Sequence, residues 1–239
     1  MYYNEQNLVL SGKPPNLNEW AYMAIKSHIL EHQIKPGMQL NIEDLSKELG
    51  ISRTPIREAL LRLRQEGLVI SLSRVGFFVC GVTKQDFEDI FGLRKIVESH
   101  AAEQLAVKIT TDELDEIIDL NQQCKTMAEQ GDTKEYNRYD VLLHGTIVSS
   151  MENQKIKDIF DGIADLVYRI RVYALHSPEN IRLSLLEHEK IIQAFKEKDT
   201  EDARLAMSTH ISNIRDRLSH IVDFYDGIES RQPVKSRFL

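Results

Sequence analysis

Four ionisable side chains in the second half of the chain lie at positions where an all-helical bundle would want an apolar interior, and they could hold a metal. Asp140 and His144 stand four residues apart, which places them on one face of a helix. His188 sits among Leu185, Ile191 and Ile192, and His210 among Met207, Ile211 and Ile214. Three imidazoles and one carboxylate converging between helices would satisfy a divalent cation, zinc first, with nickel or manganese as alternatives. Buried and unpartnered, the same groups would be costly. Histidines held at core edges by ordinary hydrogen bonds are the competing explanation. A second chemical cluster lies upstream. Ser52, Arg53, Thr54 and Arg57 fall within six residues. Hydroxyls at a helix N-terminus suit phosphate oxygens, and arginine pairs bidentately with guanine. A solvated helix face is the alternative for these residues, and it weighs more for Arg62, Arg64 and Lys47.

Positioning these groups takes two kinds of architecture. Residues 1–16 read as an irregular arm, because Gly12, Pro14 and Pro15 break regular structure. Asn16 or Asn18 caps a helix to about Glu31, with Trp20, Ala21, Ala24, Ile25, Ile29 and Leu30 as its apolar stripe. Pro36-Gly37 is a turn. Asn41 caps a short second helix, with Asp44 in capping-box position, Leu45 and Leu49 facing the core, and Gly50 as its stop. Ser52 caps a third helix that buries Ile56, Ala59, Leu60 and Leu63 and ends at Gly67. Leu68–Leu72 and Phe77–Val82 read as a two-stranded hairpin with Arg74 and Gly76 at its tip. That order is a winged helix-turn-helix. From residue 83 onward every stretch has helical period, with helices expected over about 84–106, 111–130, 132–149, 153–175, 178–197 and 199–225. The fold class expected is mainly α: an N-terminal winged helix-turn-helix over 17–82, then an all-helical antiparallel bundle over 83–228, then a tail over 229–239.

The charge distribution agrees with that division. The chain of 239 residues has a formal net charge of -7, yet residues 1–82 carry +1 and the remainder -8. All the arginines of the first segment lie between Arg53 and Arg74. Nucleic acid therefore belongs to the first segment, and the acidic bundle should face away from it. No apolar run approaches the roughly 18 residues that span a bilayer, and the N-terminus lacks a secretion pattern. A cytoplasmic protein without a membrane role is expected. Cys80 and Cys124 form no CxxC pair and read as free thiols. HExxH, a GxSxG serine and a phosphate-cradling glycine loop are all missing from the sequence, which speaks against an enzyme. A metal-dependent enzyme and a non-catalytic dimeric adaptor are the alternatives to a DNA-binding regulator.

The string LSKELGISRTPIREALLRLRQEGLV, Leu45 to Val69, resembles the GntR family of bacterial regulators. The resemblance extends through PGMQL and the hairpin and covers about residues 18–225. It implies operator contacts from Arg53, Thr54 and Arg57, with Gly76 at the wing tip. Glu43 and Asp44 depart from it, since relatives often carry a basic residue near the second helix. The order Asp140-x3-His144, Glu187-His188 and His210-Ile211 resembles the FCD subgroup, the FadR-type C-terminal domain. That resemblance implies a metal on Asp140, His144, His188 and His210, at the base of a pocket for a small organic acid such as a sugar acid or hydroxy-acid. Leu93, Arg94 and Glu98 match its LRxxxE pattern. Arg94 then pairs either with the acid's carboxylate or with Glu98 one turn away. Asn213 is a further effector candidate, with Arg169 and Tyr168 behind it. The implied function is a homodimeric regulator, a repressor first, on a palindromic double-stranded operator, controlled by an acid bound beside the metal.

Overall fold

A computed structural model describes residues 16–174 and 177–220. The expected arm up to residue 15, the tail over 229–239, and the last turns foreseen at 175 and 221–225 lie outside the described residues. The described chain divides into two compact units, residues 16–84 and 85–220.

The first unit begins with α1 (Leu17–Leu30), capped by Asn16, whose side chain accepts from the Asn18 and Glu19 amides. Asn18 therefore lies inside the helix. Tyr22 joins the buried stripe, while Trp20 is only half-buried. Helices α2 (Ile42–Leu49) and α3 (Arg53–Gln65) meet at Gly50, whose φ of 62° supplies the left-handed turn between them. Asn41 caps α2 by accepting from the Glu43 and Asp44 amides. Helix α3 packs on α1 and α2 through Pro55, Ile56, Ala59, Leu60 and Leu63, so its other face is left to solvent.

The sheet differs from the two-stranded expectation. Strands β2 (Val69–Leu72) and β3 (Gly76–Val79) form the hairpin, and β1 (Gln39–Leu40) adds to the free edge of β3, giving the order β1-β3-β2. All pairing is antiparallel, with Leu40 opposite Phe77 and Leu72 opposite Gly76. A two-residue strand between a Pro-Gly turn and a helix cap is too short to show a period of two. Gly76 has φ 133°, and a Cβ there would stand 3.0 Å from Gln39 Nε2. That same amide donates to the Val75 carbonyl at 2.9 Å, tying β1 to the hairpin tip.

The second unit is all helical: α4 (Lys84–Lys108), α5 (Thr111–Gln130), α6 (Thr133–Ser149), α7 (Gln154–Ala174), α8 (Pro178–Glu197) and α9 (Thr200–Leu218). Helix α5 starts with a reciprocal capping box between Thr110 and Glu113. Short connections through Gly131 and Lys198, both left-handed, make hairpins of α5 with α6 and of α8 with α9. Helix α5 also packs on α8, and α6 on α7. Among the described residues no helix is long and apolar enough to cross a membrane.

Candidate metal centre and nucleic-acid interface

The centre of the bundle is polar. Asn137, Asp140 and His144 occupy one face of α6, because offsets of three and seven residues return to the same side of a helix. His210, Asn213 and Arg217 do the same on α9. His188 projects from α8 and Glu98 from α4, and the three histidines are essentially fully buried. One donor atom from each of His144, His188 and His210 lies within 4.8 Å of the others. The His144 and His210 Nε2 atoms are 3.2 Å apart.

Each imidazole is oriented from behind. His144 Nδ1 is bonded to Glu98 Oε2, His210 Nδ1 lies 2.8 Å from Glu187 Oε2, and His188 Nδ1 lies 3.2 Å from Asn121 Oδ1. All three partners are acceptors, so each Nδ1 carries the hydrogen and each Nε2 presents a bare lone pair. Two such lone pairs face one another across the His144–His210 contact, and His188 Nε2 has no hydrogen-bond partner. A single shared proton would relieve one pair and leave the third nitrogen orphaned. A divalent cation satisfies all three. A tetrahedral zinc with nitrogens at about 2.0 Å sets neighbouring donors about 3.3 Å apart. Carboxylate and amide groups behind imidazole ligands are the usual outer support of such sites. The residues present therefore fit a metal ion.

Asp140 stands at the edge of this cluster, not within it. Its Oδ1 is 3.5 Å from His188 Nε2, while its Oδ2 is engaged by Nη1 of Arg171 on α7. Arg94 gives Nε to Glu98 Oε1 at 2.6 Å and a terminal nitrogen to Oε2 at 3.4 Å, both residues fully buried. The pair with Glu98, one of the two roles open to Arg94, is formed. Asn213 donates to Glu187 Oε1 at 2.9 Å, and Arg217 grips both oxygens of the same carboxylate. Arg169 is buried on α7, two residues from Arg171. Tyr168 lies on the same helix.

Protonation follows from these contacts. Burial pushes the His210 imidazole down to about 3 against the pull of Glu187, and holds His188 well below the ordinary histidine range, with His210 and His144 adding to it. Burial opposes ionisation of Glu98 too, but Arg94 and His144 overcome it and keep the carboxyl well below the usual range. Glu187 is lowered to about 2, its burial outweighed by hydrogen bonds from His210 and Arg217. Burial, with Arg94 nearby, lowers Arg171 to about 9. Near neutral pH the outer carboxylates are charged and His188 and His210 are neutral, the state in which imidazole ligates metal.

Three partners of this centre were not foreseen, Asn121, Arg171 and Arg217, nor was the buried Asn137 one turn before Asp140 on α6. The α6 and α9 residues share helical offsets with the foreseen residues, so that signal lay in the sequence. Asn121 and Arg171 carry none, since only packing brings α5 and α7 to the histidines.

The first unit presents its polar cluster differently. Ser52 occupies the N-cap position of α3 without a side-chain capping bond, and Ser52, Arg53, Thr54 and Arg57 are all exposed. Arg53 reaches Glu43 at 3.0 Å, an exposed pair. Arg64 is exposed as well. Arg62 is drawn back to α1, 2.7 Å from Glu19 and stacked 3.5 Å from the Tyr22 ring centroid. Arg74, at φ 62°, stands exposed at the hairpin tip beside Gly76.

Comparison with known proteins follows the same division. Residues 17–79 match the family model of bacterial regulatory proteins of the gntR family, and residues 89–213 match the FCD domain. The HTH-type transcriptional regulator YdhC of Bacillus subtilis is 28% identical over 208 residues, covering 84% of this chain and 91% of that protein. The gluconate operon transcriptional repressor of Bacillus licheniformis is 30% identical over 185 residues, 74% of each chain. The solved structure of E. coli McbR/YncC superposes with a TM-score of 0.71 at 22% identity, over 86% of this chain and 98% of that one, a likeness of fold.

Proposed function

Because the chain belongs to the GntR family of bacterial regulatory proteins and carries an FCD domain, and is thus a sequence-specific DNA-binding transcription regulator with an effector domain rather than an enzyme, we propose that it is a metal-dependent repressor released by a small organic acid. The DNA-binding part is taken as 17–82 and the effector part as 83–228. Two copies bind a palindromic operator, matching their two-fold symmetry to that of the site. Arg53, Thr54 and Arg57 read base edges and phosphates from the start of α3, Ser52 supplies a hydroxyl, and Arg74 with Gly76 brings the wing to the backbone or minor groove.

The observation that carries the effector side is the convergence of three buried Nε2 atoms, each with its Nδ1 on an acceptor. His144, His188 and His210 hold a divalent cation, zinc first, and Asp140 is the available fourth ligand. A bound cation supplies a Lewis-acidic anchor for a carboxylate. Glu98, Asn121 and Glu187 fix the ring orientations, and Arg217 and Asn213 in turn fix Glu187. One relative is named for a gluconate operon, which favours a sugar acid or hydroxy-acid as the effector class.

Metal analysis and calorimetry on chelator-treated protein test this reading. One zinc per chain is expected, with a higher unfolding temperature on loading. In His210→Ala zinc affinity should drop by more than about 100-fold, beyond the loss expected for an outer partner. Wild-type protein that takes up no metal and shows no change in unfolding temperature overturns it.

A further inference from the structure

Asp140 divides its two oxygens between unlike neighbours. One faces the His188 Nε2 atom at 3.5 Å, and the other is engaged by Arg171. Arg171 is itself only 5% exposed, and its Nε has no hydrogen-bond partner. One turn before Asp140 on the same face of α6, Asn137 is 1% exposed and its Nδ2 is likewise without an acceptor. A buried donor left unsatisfied costs about 1–3 kcal/mol, so folded proteins keep few of them. Here the α6 face that carries Asp140 and the arginine that holds it each supply one. Both are donors, so what would satisfy them is an acceptor-rich, anionic group.

Arg94 has its side-on edge, Nε with a terminal nitrogen, already committed to Glu98. In Arg171 the Nε, part of the edge that takes a carboxylate side-on, remains open.

We propose that Arg171 is the anchor for the effector's carboxylate, engaged by Asp140 until Asp140 turns towards the histidine cluster. Asn137 Nδ2 donates to a second oxygen of the same ligand, a carboxylate or an adjacent hydroxyl. This rests on the metal reading above and assigns the ligand's anionic end to named residues. A buried guanidinium that loses its carboxylate is strongly destabilised until another anion replaces it. Metal and acid are therefore coupled through Asp140 as well as through direct coordination, and the coupling is reciprocal.

The substitution Arg171→Gln separates the effects. By calorimetry with zinc alone, the variant should bind zinc as tightly as wild type or more tightly, since Asp140 no longer has a rival partner. With zinc-loaded protein titrated with D-gluconate and with L-lactate, affinity for the acid that wild type binds should fall about 10- to 100-fold, the loss of a charge-assisted pair. Arg171→Lys keeps the charge without the fork. It should retain zinc affinity and lose most of the acid affinity, and it carries the test if the Gln variant does not fold. Acid affinity within threefold of wild type in the folded variant overturns the anchor. So does a parallel fall in zinc and acid affinity, which marks a packing role. Zinc-loaded wild type that binds neither acid overturns the anchor while leaving the metal site standing. Wild type that takes up no zinc overturns the metal reading itself.

Discussion

The exposed end of α3 and the histidine centre of the bundle are both polar clusters, but they are built on opposite principles. At α3, Ser52, Arg53, Thr54 and Arg57 come from six consecutive positions, all exposed, and the one ion pair among them is the exposed contact of Arg53 with Glu43 on α2. In the bundle, the groups that touch come from six helices: Glu98 on α4, Asn121 on α5, Asp140 and His144 on α6, Arg171 on α7, His188 and Glu187 on α8, and His210 and Arg217 on α9. The first cluster is free to change its chemistry without disturbing a core. The second is the core, so each of its residues carries stability and recognition together. A surface that must search many DNA sequences suits the first arrangement. A site of the kind proposed, which would hold an ion and couple it to packing, suits the second.

That contrast breaks if the bundle centre tolerates charge removal as a surface would. Glu98→Gln leaves the buried Arg94 guanidinium without its carboxylate and should destabilise the bundle by about 3–5 kcal/mol, read by urea unfolding of the metal-free protein. A loss below about 1 kcal/mol would place Glu98 outside the core network.

Acidification probes the same network. His188 and His210 are held below the unfolded histidine value, so the unfolded chain binds more protons, and stability should fall as pH drops below about 6.5. Glu187 and Glu98 are lowered carboxylates, whose stabilisation is present above about 4.5 and is lost on further acidification. Each histidine should contribute on the order of 1 kcal/mol per pH unit in metal-free urea denaturation between pH 6.5 and 5. A flat profile there would mean the imidazoles are not buried neutral.

Two arginines of α3 sharpen the other side of the comparison. Arg57→Ala should weaken operator binding by about 1–3 kcal/mol at fixed salt, seen by fluorescence anisotropy, with the unfolding temperature unchanged. Arg62→Ala should do the reverse on a smaller scale: a loss of stability under about 1 kcal/mol, from its contacts with Glu19 and Tyr22, and operator affinity within twofold of wild type. Equal effects of the two on DNA would mean that the exposed and the tethered face of α3 are not distinct.

What the residues determine by themselves is local. Helix order, the cap at Asn41, the stop at Gly50, the buried stripe of α3 and the six bundle helices follow from periods and breakers, and the described helix ends fall within a residue or two of those expected, except that α9 stops at Leu218 instead of running to 225. The polar cluster of α3 was legible for the same reason, since its members fall within six consecutive positions. The strand β1 was not, because two residues carry no period and form a strand only by pairing with β3. In the bundle, spacing along α6 and α9 marked the histidine faces, but not what stands opposite them. That Glu98 backs His144, that Asn121 backs His188, and that Arg171 engages Asp140 are consequences of packing between segments far apart in the chain. Helical period tells which side of a helix is buried. Only the tertiary arrangement decides which buried side meets which, and in this protein that meeting makes the site.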